Sequence, residues 1–128
     1  MESLYPLTFE PILLERIWGG RKLESNYNKK LPPHAPIGES WEVSDRPGAE
    51  SIVANGTLQG LTLRWLMEHH SDELMGARKA ANARFPLLVK ILDARDTLSL
   101  QVHPPAAKAA ALGGEPKTEL WYVAAAEP

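Results

Sequence analysis

The stretch Leu98-Ser99-Leu100-Gln101-Val102-His103-Pro104 contains the clearest alternation of apolar and polar residues in the chain. Successive side chains of a β-strand point to opposite faces, so leucine and valine would share one face while Gln101 and His103 share the other. Pro104 would end the strand, because proline has no backbone N–H for the hydrogen-bond ladder. The pattern therefore predicts a strand over residues 98–103.

A second strand is predicted shortly after the first. The Ala-rich segment from Ala106 to Leu112 is typical of a short helix, which Gly113-Gly114 would stop. Residues Lys117 to Val123 then alternate again, with Lys117 and Glu119 on a shared face. Since the helix and the glycines leave room for the chain to turn, the two strands can lie side by side.

Earlier segments predict further short strands. An apolar stretch closes on Gly19-Gly20, which we interpret as a tight turn. Ser40 to Ser44 alternates like a strand with a half-polar face, and Ser51 to Ala54 is a second short candidate. Phe85 to Leu92 is typical of a buried strand, and only Lys90 interrupts its apolar run.

One helix is predicted over residues 61–75. Its apolar residues recur with the helical period and form a single stripe. Thr62 can cap its start and Gly76 can end it. With one clear helix among many short strands, we expect residues 1–128 to form a single, mainly-β domain with some α.

The composition excludes several classes of protein. The formal net charge is −2, so no strong positive field would recruit nucleic acid or an anionic membrane. No apolar run is long enough to span a bilayer, and the N-terminus lacks the apolar region of a signal peptide, so we expect a cytoplasmic protein. The chain has no cysteine, and any metal would be bound by His, Glu, Asp or Gln.

Gln101, His103 and Glu119 form a candidate metal site. The first two would lie on one strand face, and Glu119 follows His103 by sixteen residues, on the neighbouring predicted strand. An amide oxygen, an imidazole nitrogen and a carboxylate oxygen are a plausible set of ligands for Zn²⁺. Judged by spacing alone, a solvated polar strand face is the more common explanation of such a pattern.

Five motifs in the chain resemble, in the same order, those of the type I phosphomannose isomerases of the cupin superfamily. They are Arg16-Ile17-Trp18-Gly19-Gly20, Ile37-Gly38-Glu39-Ser40-Trp41-Glu42-Val43-Ser44, Arg84-Phe85-Pro86-Leu87-Leu88-Val89-Lys90, Leu98-Ser99-Leu100-Gln101-Val102-His103-Pro104 and Lys117-Thr118-Glu119-Leu120-Trp121-Tyr122. One departure is Pro105-Ala106-Ala107, where many relatives have an acidic residue. The resemblance implies an incomplete, cupin-like jelly-roll β-barrel: the N-terminal portion of the family fold, without its C-terminal part.

The resemblance also implies roles for individual residues. The ligands of one catalytic Zn²⁺ would be Gln101, His103 and Glu119, and the fourth ligand would be a histidine from beyond residue 128. The catalytic residues would be Lys90 and Lys117. The substrate would contact Trp18, Trp41 and Glu42.

The reaction implied by the resemblance interconverts mannose 6-phosphate and fructose 6-phosphate. A proton next to a carbonyl is removed to give a cis-enediol(ate), and a bound Zn²⁺ would stabilise the developing oxyanion as a Lewis acid. The expected partner is therefore a small sugar phosphate, and neither nucleic acid nor a membrane.

Two alternatives to an isomerase stay open. The first is a non-catalytic cupin-like module that binds a sugar or a metal, or that assembles with a partner chain. The uncovered edge of the strand at Lys117 to Val123 would then permit self-association. The second is a regulatory or structural protein without a ligand. Adding Zn²⁺ would distinguish a metal-binding protein from one without a ligand. A ligand that binds only the folded form raises the stability of that form, so a protein without a ligand would show no change.

Overall fold

The computed structural model describes residues 4–77 and 83–127, and the chain divides into two compact units, Met1–Leu98 and Ser99–Pro128. In chain order, the elements of the first unit are β1 (Ile12–Gly20), α1 (Lys22–Tyr27), β2 (Ile37–Val43), β3 (Asp45–Arg46), β4 (Ala49–Glu50), α2 (Leu63–His69), α3 (Ser71–Met75) and β5 (Val89–Leu92). The second unit contains α4 (Ala106–Ala109) and a 3-10 helix (Ala110–Leu112). In the described ranges, no helix has the length and apolar character needed to cross a membrane.

A three-stranded antiparallel sheet in the order β1-β2-β5 organises the first unit. The central strand β2 places Trp41 opposite Ile12 of β1 on one side and opposite Lys90 of β5 on the other. The pairing of β1 with β2 is irregular between Glu15 and Gly20, so β1 bulges there. A bulge of this kind redirects the side chains that it carries.

Gly19 and Gly20 lie inside β1, so the tight turn predicted there is wrong. A Cβ atom on Gly19 would lie 2.5 Å from the backbone nitrogen of Gly38, and one on Gly20 would lie 2.6 Å from Oδ2 of Asp93. Both distances are far inside van der Waals contact. Glycine is needed here because other parts of the chain approach the backbone closely.

Two apolar clusters form the core of the first unit. The larger one packs the apolar face of α2 against the chain before it, and its buried members are Val53, Leu63, Leu66 and Met67. The smaller one joins α1 to β2, and its buried members are Leu23, Leu31 and Ile37. The predicted helical stripe is therefore a core-facing surface.

The helix predicted over residues 61–75 is two short helices, α2 and α3. Both ends are as predicted: Oγ1 of Thr62 accepts a hydrogen bond from the backbone N–H of Trp65 at 3.1 Å, and Gly76 follows α3 with a φ of 59°. The chain leaves the helical region at His70, where φ is −131° and ψ is 24°. The apolar period continues across this break, so periodicity cannot reveal it.

Two strand predictions in the first unit are only partly correct. Ser51 to Ala54 forms isolated bridges at Ile52 and Val53 to two different segments, so no continuous ladder develops. Within Phe85 to Leu92, strand β5 begins only at Val89, where its partner β2 ends. In both places the extent of the strand is set by its neighbours as well as by its own residues.

The strands predicted over residues 98–103 and 117–123 are not formed. Alternation identifies a face that can be buried, but a strand also needs a neighbouring backbone to complete its hydrogen-bond ladder. Within residues 99–127, the structure gives neither segment such a ladder. Their apolar side chains stay exposed as a result, Leu100 to 96% and Leu120 to 92%.

The predicted Ala-rich helix is confirmed as α4 with its 3-10 extension, and Gly113 ends it with a φ of 64°. The described elements are mostly strand with some helix, and the sheets are open and not closed into a barrel. This is the predicted fold class.

Candidate functional site

A buried carboxylate, that of Glu39 on β2, is the centre of a polar cluster in the first unit. Glu39 is only 7% exposed. Its Oε1 accepts a hydrogen bond from Nε of Arg16 at 2.8 Å, and its Oε2 accepts from Nε1 of Trp41 at 2.6 Å and from Nζ of Lys90 at 2.9 Å. We refer to these four residues as the Glu39 cluster.

The register of the sheet explains why these side chains meet. Glu39 and Trp41 are two residues apart on β2, so they project from the same face. Trp41 lies opposite Lys90 of β5, and Nζ of Lys90 is 4.8 Å from the centre of the Trp41 ring, which is a cation–π contact. The structure thus brings together the predicted catalytic Lys90 and the predicted substrate-binding Trp41.

The environment of Glu39 keeps its carboxyl ionised. Burial by itself raises the pKa of this group, because it disfavours the charged form. Hydrogen bonds from Trp41, Lys90 and Arg16, together with the positive charge of Lys90, outweigh burial and hold the pKa below its ordinary value. The cluster therefore contains one carboxylate and two cations, which leaves an excess of one positive charge.

Gly38 allows two large side chains of β1 to lie against β2. A Cβ atom at this position would lie 2.6 Å both from Cβ of Arg16 and from Cζ3 of Trp18. The predicted substrate-binding Trp18 is half-buried and lies beside Arg16 of the Glu39 cluster as a consequence. Trp18, Trp41 and Lys90 are therefore all placed by the same sheet.

Glu42, the third predicted substrate-binding residue, projects from the opposite face of β2. Its Oε2 accepts a hydrogen bond from Nζ of Lys29 at 2.6 Å, and its Oε1 accepts from Oγ of Ser40 at 2.5 Å. The sequence does not predict the ion pair with Lys29, which comes from the segment after α1. The structure therefore separates Glu42 from Trp41.

A second cluster lies in the second unit, around Glu119. Its Oε2 is 2.9 Å from Nε2 of His103, and its Oε1 contacts Nζ of Lys117. Two of the three predicted metal ligands and one predicted catalytic lysine are therefore in contact. The amide nitrogen of Gln101, the third predicted ligand, donates to Oγ of Ser99 at 3.2 Å.

The Glu119 carboxyl is also held in its charged form. Hydrogen bonds from Lys117 and His103 lower its pKa from the ordinary value, and the charges of the same two groups act in the same direction. A carboxylate beside an imidazole is a pair of donors that a divalent cation can share. Both residues are in a position to exchange their mutual hydrogen bond for a metal ion.

His103 and Glu119 fit zinc in the type of their donor atoms and in the distance between them. Two ligands at about 2.0–2.1 Å from a tetrahedral zinc ion lie about 3.3 Å apart, and the 2.9 Å between His103 and Glu119 needs only a small opening to match this. In the described part of the chain, no three His, Asp or Glu side chains are grouped closely enough to hold a metal. An amide such as that of Gln101 is therefore the kind of additional donor that this pair needs.

Arg16 and Glu39 lie in two of the family motifs, but sequence reasoning assigned neither residue a role in the site. The available signal was Lys90, because a lysine inside an apolar strand run needs an acidic partner or a task. Sequence alone could not select that partner among sixteen Asp and Glu residues. The choice depends on the pairing of three strands that are far apart in the chain.

Comparison with known proteins shows that both clusters lie within residues that match a known protein family. Residues 7–119 match the sequence model of the catalytic domain of phosphomannose isomerase type I. The chain is 42% identical over 123 residues to a mannose-6-phosphate isomerase of Streptococcus mutans serotype c, an alignment that covers 95% of this chain and 38% of that protein. It is also 42% identical over 120 residues to mannose-6-phosphate isomerase ManA of Bacillus subtilis, covering 92% and 36% respectively.

A solved structure is similar as well. The crystal structure of the mannose 6-phosphate isomerase from Bacillus subtilis matches with a TM-score of 0.73 and 38% identity, covering 83% of this chain and 32% of that chain. This likeness confirms the fold class and agrees with an incomplete jelly-roll of the cupin type. The chain spans less than two fifths of the length of these relatives.

Proposed function

Because this chain belongs to the type I phosphomannose isomerase family, we propose that it forms part of a zinc-dependent isomerase that interconverts mannose 6-phosphate and fructose 6-phosphate. The contact of 2.9 Å between His103 and Glu119 is the observation that carries the proposal. It joins an imidazole nitrogen to a carboxylate oxygen, within the residues that match the family. We assign the enzyme to the cytoplasm as part of the same proposal.

His103, Glu119 and Gln101 would hold the zinc ion, with a fourth protein ligand from outside residues 1–128. The chemistry that zinc supplies when bound is Lewis-acid stabilisation of negative charge on the sugar oxygens. Lys117 keeps Glu119 ionised by its hydrogen bond. That contact also holds a positive charge beside the ligand pair.

The reaction moves a proton between the two neighbouring carbons, C1 and C2, of the open-chain sugar. Removal of the proton next to the carbonyl gives a cis-enediol(ate). Return of a proton to the other carbon, together with transfer of the hydroxyl proton from one sugar oxygen to the other, completes the isomerisation. Negative charge develops on oxygen in the transition state, where fixed cations stabilise it. Lys90 and Lys117 are the cations of this chain that we assign to that stabilisation and to proton transfer.

The aromatic side chains of the first unit would contact the sugar. Trp41 has its indole N–H committed to Glu39, so its orientation is fixed. Trp18 is held over Gly38 in the same sheet. We assign both to substrate binding. Glu42, the third residue predicted for this role, lies on the opposite face of β2 in an ion pair with Lys29, so we do not assign it to the same sugar.

A chimera provides the test of this function. This chain would replace the matching residues of the Bacillus subtilis mannose-6-phosphate isomerase, and formation of fructose 6-phosphate from mannose 6-phosphate would be measured with and without added zinc. We expect activity that is lost with a chelator and restored by zinc. A folded, zinc-loaded chimera without activity, beside an active parent enzyme, would contradict the proposal.

A second candidate function is a non-catalytic cupin-like module that assembles with another chain or with itself. The exposure of Leu100, Val102, Leu120 and Tyr122 in the second unit favours it, because exposed apolar groups of this kind mark contact surfaces. Light scattering of the purified chain tests it. A monomer at all concentrations would argue against self-association.

A further inference from the structure

The Glu39 carboxylate is fully engaged on both of its oxygens. Arg16 occupies Oε1, and Trp41 and Lys90 share Oε2. A carboxylate held in this way has its plane fixed, because rotation would break at least one contact on each side. Such a group is poorly suited to accept a proton from a substrate, and it acts through its partners instead.

Lys90 and Arg16 are both partly open to solvent. Their side chains are 24% and 37% exposed, whereas that of Glu39 is 9% exposed, and only Lys90 of the two also lies over the Trp41 ring. The ammonium group touches the carboxylate at 2.9 Å and lies 4.8 Å above the Trp41 ring, so two fixed groups define its position. Without them, a lysine side chain would sample many rotamers.

The charge of the cluster indicates the kind of ligand that Lys90 would meet. Arg16 and Lys90 together carry two positive charges against the one negative charge of Glu39. The remaining charge favours an anionic or electron-rich oxygen, such as a phosphate or enediolate oxygen of a sugar phosphate. Arg16 and Lys90 share the single negative charge of Glu39, and the ammonium group of Lys90 carries its part of the excess positive charge above the Trp41 ring.

We propose that Glu39 is a positioning residue that fixes the ammonium group of Lys90 above Trp41, ready to contact the oxygens of a bound sugar phosphate. The inference rests on the proposed function for the identity of the ligand. The positioning itself depends only on the first unit. Glu39 is therefore expected to influence the rate of the reaction chiefly through Lys90, and the orientation of the substrate-binding Trp41 through its second hydrogen bond.

Acylation of lysine amines tests the positioning directly. The purified chain would be treated with acetic anhydride at fixed pH, and the labelling rate of Lys90 measured by mass spectrometry of its peptide. In Glu39→Gln, the amide has no negative charge and presents an NH₂ group to either Arg16 or Lys90. We therefore expect Lys90 to be less firmly held and to react at least fivefold faster than in the wild type. The labelling of Lys29, which is paired with Glu42, should stay unchanged.

The matched control is Glu68→Gln, which removes an exposed acid paired with Arg64 on α2. It should leave the labelling of Lys90 at the wild-type rate. Circular dichroism confirms that each variant is folded. Equal labelling of Lys90 in folded Glu39→Gln and in the wild type would overturn the proposal.

A double-mutant cycle on isomerase activity separates a positioning role from a merely structural one. We expect Glu39→Gln to lower kcat at least tenfold, with KM changed less than threefold, and to lower kcat less than threefold further in a Lys90→Gln background. Additive losses would overturn the proposal. A wild-type chain that is inactive, alone and in the chimera, counts against the proposed function, while the labelling still decides whether Glu39 fixes Lys90.

Discussion

Glu39 and Asp45 are carboxylates buried in the first unit, and each lies against two basic side chains. Asp45 is 4% exposed, and its oxygens are 3.2 Å from Nη1 of Arg64 and 3.5 Å from Nη1 of Arg84. A buried ion is tolerated when partners compensate its lost hydration, and loss of one partner is costly. The two residues differ in setting, because Lys90, the partner of Glu39, also lies against an aromatic ring.

The stability contributed by Glu39 should depend on pH in a defined direction. Its pKa is lowered from 4.5 in the folded chain, so its contribution is present above that value and is lost as the pH falls through the folded pKa. We expect Glu39→Gln to lower the free energy of unfolding by about 3 kcal/mol at pH 7. Urea unfolding should show this difference narrowing below pH 4.5. A difference that is constant from pH 7 to pH 3 would contradict the assignment.

Substitution of Gly38 should disturb the packing of Arg16 and Trp18. An added Cβ would lie 2.6 Å from both side chains, so we expect Gly38→Ala to lower the free energy of unfolding by about 2 kcal/mol. At Gly114 the nearest atom to an added Cβ is 3.4 Å away, and Gly114→Ala is the control, with an expected loss below about 0.5 kcal/mol. Urea unfolding measures both losses. If Gly38→Ala and Gly114→Ala lowered the free energy of unfolding by the same small amount, the sheet would accommodate the methyl group and the prediction would be wrong.

Among the elements, those that depend on local signals were predictable from the sequence. The cap at Thr62 and the stop at Gly76 follow from residue type, and the alternation at Trp41 and its neighbours locates β2. The break at His70 and the extents of β1 and β5 were not predictable. They depend on which backbone lies alongside, and that is information about distant segments.

The N-cap of α2 can be tested by itself. Oγ1 of Thr62 accepts a hydrogen bond from a backbone N–H of the first turn, so Thr62→Ala should lower the free energy of unfolding by about 1 kcal/mol. Exposed Thr57 provides the matched control, and Thr57→Ala should change this free energy by less than about 0.5 kcal/mol. Thermal unfolding of both variants measures the difference. Indistinguishable melting temperatures would contradict the role of the cap.

At the scale of the whole molecule, the family motifs predicted more of the contacts in the site than the predicted strands and helices did. The predicted strands at residues 98–103 and 117–123 are not formed, yet the contact between His103 and Glu119 is present. The motifs predicted which side chains meet in this chain, whereas the formation of a strand also requires a neighbouring backbone. Binding of zinc by Gln101, His103 and Glu119 stays a prediction, as does the single-domain organisation of residues 1–128.

Zinc binding is the measurement that tests the account most directly. Isothermal titration of the chelator-treated chain would be compared among the wild type, His103→Ala, Glu119→Gln and the control His69→Ala, which changes an exposed histidine on α2. We expect the wild type and His69→Ala to bind zinc equally, and both ligand variants to bind at least tenfold more weakly. Unchanged zinc affinity in His103→Ala, or no zinc binding by the wild-type chain and its chimera, would contradict the assignment of the metal site.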